Sequence, residues 1–234
     1  DYPGEHKRHR APMPLLGGVA LFLTLLGVIG GHLFALPMLR RQEFVRQLFP
    51  EVLAMFDTLG LVVPPLWMIL AGSLIVLVTG LVDDLSGPRF PAWGKLVGQT
   101  IAAALVVAAG VRISLFGAHP WLAALVTLLW IVTITNAFNL LDNMDGLATG
   151  VALICSLLLW FIVTSLGEFF IGLFLSALIG ALAGFLAHNF PPARLFLGDA
   201  GSLLIGYTIG VITVLASYVA PQEKIRNEWF GPFM

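Results

Sequence analysis

Five aspartates of this 234-residue chain stand where an apolar run stops and a charge is costly. Asp83 and Asp84 close "LVDDLSG" and are followed, past Gly87 and Pro88, by Arg89 and Lys95. Adjacent carboxylates repel each other. The pair therefore suits a divalent cation or a shared proton, the chemistry of metal binding or of a general base. Spacing alone equally allows Asp83 to mark a helix end at the lipid headgroups.

A second group lies in "NAFNLLDNMDGL", where Asn139, Asp142 and Asp145 recur every three residues on what reads as one helical face. Their oxygens could accept from the N–H groups of a uracil and from ribose hydroxyls, with Asn136 in support from deeper in the bundle. Capping of the turn that ends at Gly146 is the alternative. In "HNFPPARLFLGDAGS", Pro191 and Pro192 stop a helix and Asp199 precedes the next, opened by Gly201 and Ser202. A carboxylate among small residues suits an octahedral Mg²⁺ shared with phosphate oxygens, and it also suits a plain N-cap. Phe196 could stack on a base or simply pack. The basic stretch His6, Lys7, Arg8, His9 and Arg10 could neutralise a pyrophosphate or anchor to headgroups.

The elements that must position these residues follow from composition. Hydrophobic residues make up 59% of the chain, charged residues 11%, and the mean hydropathy is +0.96, which excludes a soluble fold. Apolar runs near 15–36, 61–82, 96–112, 121–138, 147–165, 169–187 and 201–219 each approach the length that crosses about 30 Å of hydrocarbon. They are continuously apolar, whereas barrel strands alternate, so the fold class is an all-α polytopic membrane bundle of about seven helices. Residues 1–234 leave room for one integral membrane domain. The segment 40–60 places Phe44, Leu48, Val52 and Met55 at helical spacing and reads as an interfacial helix.

With seven crossings, the loops 1–14, 83–95, 139–146 and 188–200 share one side of the bilayer, and all five aspartates go with them. The positive residues divide evenly between the two sides, so the positive-inside rule leaves the orientation open. A net charge of −1 without a basic stripe excludes nucleic acid as a partner. Cys155, the single cysteine, lies inside an apolar run and forms no internal disulfide.

The order of these motifs, from "HKRHRAPMPLLGG" through "LVDDLSG", "GKLVGQ" and "NAFNLLDNMDGLATG" to "FPPARLFLGDAGSLLIG", resembles the polyprenyl-phosphate N-acetylhexosamine-1-phosphate transferases. The resemblance implies a cytoplasmic site in a plasma-membrane enzyme. There a UDP-sugar and polyprenyl (undecaprenyl) phosphate would give polyprenyl-pyrophosphoryl-sugar and UMP, with Mg²⁺, or Mn²⁺ in its place, on the pyrophosphate. It implies Asp199 as the metal ligand, Asp83 as the base for the lipid phosphate and Asp84 as its partner in positioning metal or phosphate. Lys95 matches the lysine that follows the aspartate pair, and Lys7, Arg10 and Lys95 are expected among the substrate-binding residues. Asn139, Asp142, Asp145, Asn189 and Phe196 would serve the nucleoside, while Asn143 stands where many relatives have Gly.

The pattern looks closer to the N-acetylglucosamine branch than to the phospho-N-acetylmuramoyl-pentapeptide branch, and it leaves room for a homodimer. The resemblance also implies a helix ahead of Asp1 and a His-rich loop after Met234, so the chain reads as part of a longer protein. A transporter is the alternative of another class, but its acids would lie near the bilayer midplane rather than at helix ends.

Overall fold

Hydrocarbon offers no partner to a backbone N–H or C=O, so an apolar run of bilayer length closes its own hydrogen bonds as a helix. The computed structural model describes residues 13–39, 43, 59–114 and 119–219. Seven long helices lie among them: α1 (Gly17–Leu39), α2 (Leu59–Ser86), α3 (Ala92–Ala108), α4 (Pro120–Leu141), α5 (Leu147–Ser165), α6 (Phe169–Asn189) and α7 (Gly198–Val219). A 3₁₀ turn over Gly87–Arg89 joins α2 to α3, and no strand occurs among the described residues. The all-α class is as expected. Helices α2, α4, α5, α6 and α7 carry windows long and apolar enough to cross a membrane, and shorter apolar stretches cover Gly17–Gly31 and Ala92–Ala108. The interfacial helix expected over 40–60 and the basic residues Lys7 and Arg10 fall outside the described residues.

The boundaries differ from the hydropathy reading in an instructive way. Helix α2 runs on through Asp83 and Asp84, α3 already contains Lys95, α4 contains Asn139, and α7 starts before Asp199. A polar residue ends the apolar run, but it does not end the helix, which continues past it. Helix α3 also stops four residues before the apolar run does. Gly110 takes φ 87°, and the N–H groups of Gly110 and Val111 donate to Val107 and Val106 carbonyls, a C-terminal stop invisible to hydropathy.

Helix α7 is the axis of the bundle. Of its apolar window 78% is buried within the protein, against 28–44% for the other four spans. It packs along α4 and α2 and also meets α1 and α5. Lipid tails are as apolar as leucine, so close van der Waals approach holds such helices together. Small residues permit that approach. A Cβ on Gly80 of α2 would strike the backbone of Ala200, one on Gly18 of α1 would strike that of Gly201, and one on Gly206 of α7 would lie 2.7 Å from Thr135 Cα in α4. Tyr207 fills the space opposite Gly72 and donates its hydroxyl to the Ile69 carbonyl at 3.3 Å.

The starts of α1, α3, α5 and α7 and the ends of α2, α4 and α6 meet at one end of this bundle. There the loop before α7 pairs with the chain entering α1: Phe196 N–H donates to the Pro14 carbonyl, and Gly17 and Gly18 N–H donate to the carbonyls of Phe196 and Leu197.

Candidate active site

The side chains that converge at this end are chiefly those singled out by type and spacing. Asp83, in the last turn of α2, is buried, and its Oδ2 forms an ion pair with Lys95 Nζ in the first turn of α3. The same ammonium donates to Asp199 Oδ2 at 2.9 Å. Asn139 of α4 donates to Asp199 Oδ1 at 2.5 Å and to Ser202 Oγ at 2.9 Å. Asp199 is thus gripped on both oxygens from two different helices.

Asp84, although adjacent to Asp83, faces another partner. Its Oδ1 accepts Asp199 N–H at 2.9 Å and its Oδ2 accepts Ala200 N–H at 3.1 Å. Helix α7 has four N–H groups without intrahelical partners at its start, and Asp84 satisfies two of them with a negative charge at the positive end of the dipole. Gly198, at φ 71°, makes room for that carboxylate, since a Cβ there would lie 2.7 Å from Asp84 Oδ2. Asp199 is therefore not its own helix's cap, and its side chain is released toward the cleft.

The "NLLDNMD" stretch does not form one helical face. Helix α4 ends at Leu141, Asp142 is its C-cap, and Asp145 lies in the turn before Gly146 takes φ 71°. A turn replaces the expected stripe because Gly146 starts α5 immediately. The residues still share the cleft: Asp142, Asn143, Met144 and Asp145 line it, and Asp145 Oδ2 accepts Ala193 N–H at 3.0 Å. Burial, then the negative charges of Asp199, Asp84 and Asp145, push the Asp142 carboxyl up to about 7.

Asn189 is buried and braces the far wall. Its Oδ1 accepts from Gly146 N–H and from Thr149 Oγ1, both at 3.1 Å, and its Nδ2 donates to the Leu195 carbonyl at 3.0 Å. Phe196 lines the cleft beside Leu15, Leu197 and the cis Pro191–Pro192 turn. Asn136 sits a turn deeper than Asn139 and does not line the cleft. Its Nδ2 donates to Gln99 Oε1 at 2.5 Å and to the Val132 carbonyl at 2.9 Å, while Gln99 Nε2 donates back to Asn136 Oδ1. Sequence reasoning missed Gln99, Thr149 and the acceptor role of Ser202. A lone amide in the apolar stretch "LVGQTIAAAL" is the signal that could have found Gln99.

The cleft is half open and has a volume of about 1430 Å³. Among the described residues no three His, Cys, Asp or Glu side chains form a ready-made metal cage. The carboxylates that do meet offer hard oxygens, and Asp199 keeps 31% of its side chain exposed against 8% for Asp83. That set suits a small hard cation that takes one or two carboxylates and fills its shell with phosphate and water.

Residues 66–217 match the family described as "Glycosyl transferase family 4". The chain is similar to a probable undecaprenyl-phosphate N-acetylglucosaminyl 1-phosphate transferase of Bacillus subtilis (strain 168), with 31% identity over 226 residues covering 93% of this chain and 55% of that protein. It is 33% identical over 243 residues to the decaprenyl-phosphate N-acetylglucosaminephosphotransferase of Mycobacterium tuberculosis, covering 92% and 53%. It is 34% identical over 164 residues to a phospho-N-acetylmuramoyl-pentapeptide-transferase of Lactobacillus gasseri, covering 63% and 51%. The chain spans about half the length of the curated relatives it matches.

Proposed function

Because the chain belongs to glycosyl transferase family 4, we propose that it carries the catalytic bundle of an enzyme that moves a sugar-1-phosphate from a UDP-sugar to polyprenyl phosphate, releasing UMP. The observation that carries this reading is the Asp83–Lys95–Asp199–Asn139 constellation at the bundle's end. A phosphate headgroup can reach that level while its prenyl chain stays in hydrocarbon. A cleft of about 1430 Å³ exceeds the roughly 300–1,000 Å³ of a site for one small ligand, which favours two substrates held together.

In this reading a lipid-phosphate oxygen attacks the β-phosphorus of the UDP-sugar, and the bond from that phosphorus to the bridging oxygen breaks as UMP leaves. Asp83 takes the last proton of the lipid phosphate. Lys95 keeps the two acids from repelling each other and holds Asp199 in place. Mg²⁺, with Mn²⁺ as a substitute, would be held by Asp199 together with pyrophosphate oxygens and would neutralise charge there. Asp142 and Asp145 face the nucleoside and Phe196 stacks on its base. Positioning and electrostatics account for most of the acceleration in such a transfer.

The donor we favour is UDP-N-acetylglucosamine, since the matches to proteins named for N-acetylglucosamine cover 92–93% of this chain and the one to the muramoyl-pentapeptide transferase covers 63%. We place the site on the cytoplasmic face of the plasma membrane, where UDP-sugars are made. The test is UMP release by the intact protein in detergent with undecaprenyl phosphate and each donor in turn. Release with UDP-N-acetylglucosamine alone supports the reading, and release only with the muramoyl-pentapeptide nucleotide transfers it to the other branch. Solute flux without UMP would replace it with transport.

A further inference from the structure

Gln99 is fully buried in α3 and its side chain takes no part in the cleft. It lies one turn below Lys95 on the same face of α3, and Asn136 lies one turn below Asn139 on α4. The two amides bond reciprocally, Asn136 Nδ2 to Gln99 Oε1 at 2.5 Å and Gln99 Nε2 to Asn136 Oδ1 at 3.4 Å. One turn nearer the cleft, Lys95 and Asn139 hold the two oxygens of Asp199.

Helix α3 packs mainly against α2 and α4 and scarcely touches α7. The reach of Lys95 to Asp199 is therefore set by how α3 sits on α2 and α4, both of which pack along α7, and of these two contacts it is the one with α4 that carries a buried amide pair. Apolar contacts between α3 and α4 permit sliding at small cost, whereas a two-way amide pair in hydrocarbon permits one register, because a slip strands buried donors and acceptors. We propose that Gln99 is a positioning residue, whose amide pair with Asn136 fixes α3 against α4 and so sets the spacing at which Lys95 and Asn139 grip Asp199. The kinetic consequence rests on the transferase reading; the geometric one does not.

Two measurements on the intact protein in detergent test this. In the first, Gln99→Leu lowers kcat by roughly 10- to 100-fold, the scale of a slight misplacement of reacting groups. In a Lys95→Met background the same change costs severalfold less, because the Lys95 half of the grip through which it acts is already gone and only the Asn139 half remains. Losses that multiply in the two backgrounds would reduce the pair to bundle stability and overturn the proposal. In the second, nitroxides are placed at the exposed positions Leu96→Cys and Leu140→Cys, with Cys155→Ser, and their spin–spin distance is read without substrate. Gln99→Leu shifts or broadens that distance, and an unchanged distribution refutes the clamp whether or not UMP is ever released. Should Gln99→Leu fail to fold, the exchanged pair Gln99→Asn with Asn136→Gln carries the test. It recovers most of the kcat that either single change loses, and recovery no better than the singles sinks the idea.

Discussion

The carboxylate of Asp84 accepts the backbone N–H of Asp199 at 2.9 Å, so the end of α2 caps the start of α7 while the side chain of Asp199 is left to the cleft. Two neighbouring acids, Asp83 and Asp84, thereby separate into a charge partner of Lys95 and a helix cap in trans.

Removing that cap costs stability before it costs chemistry. Asp84→Ala strands two N–H groups and should destabilise by about 0.5–2 kcal/mol, and Asp84→Asn, which keeps one acceptor oxygen, should lose less. Thermal midpoints of the substrate-free protein in detergent check the order, parent above Asn above Ala. Equal midpoints for parent and Ala would refute the capping role.

Asp199→Ala should abolish Mg²⁺-dependent UMP release, with a loss of at least about 100-fold. Chelation of the parent should do the same, and added Mg²⁺ should reverse it. Near-normal turnover of the variant would remove Asp199 from the metal assignment.

Phe196→Ala should raise the KM for the UDP-sugar roughly tenfold, as the loss of one stacked base implies, and leave kcat within about twofold. An unchanged KM would show that the ring packs and does not stack.

Asp142 gives the pH dependence its sign. Its carboxyl is raised from 3.8 in the unfolded chain to about 7 in the fold, so between those values the folded state holds the proton more tightly. The stability this supplies is complete below pH 3.8 and is lost as pH rises through 7. Asp142→Asn, neutral at every pH, should therefore raise the thermal midpoint at pH 8 and leave it nearly unchanged at pH 4. An equal rise at both would disprove the titration.

Hydropathy located all seven of the described helices because each run is nearly unbroken, five of them reaching bilayer length and those of α1 and α3 falling short of it. It misplaced four polar residues at that end by about one turn: Asp83, Lys95, Asn139 and Asp199 sit inside helices, where the backbone fixes their direction, rather than in loops. Residue type and order were enough to gather Asp83, Lys95, Asn139, Asp142, Asp145, Phe196 and Asp199 at one end. Their division of labour was not legible. Which of two adjacent aspartates meets a lysine and which meets a helix N-terminus depends on how α2 is rotated about its axis. That rotation is set by contacts such as Gly80 on Ala200, between residues far apart in the chain. Asn136 and Asn189 illustrate the same limit. Spacing alone showed neither the pairing of the Asn136 amide with Gln99 nor the braces from the Asn189 amide to Gly146, Thr149 and Leu195, although Asn189 also lines the cleft.

The pairing of Gly17 and Gly18 with the carbonyls of Phe196 and Leu197 has a consequence for biosynthesis. Of the described helices, the one that leaves the ribosome first is capped by the loop just ahead of the one that leaves last, and that same loop delivers Asp199. Everything between must be threaded into the bilayer before α1 is anchored and before Asp83 and Lys95 meet the acid they face. Nascent chains that stall after α6 bear no Asp199 and leave the start of α1 without the carbonyls of Phe196 and Leu197.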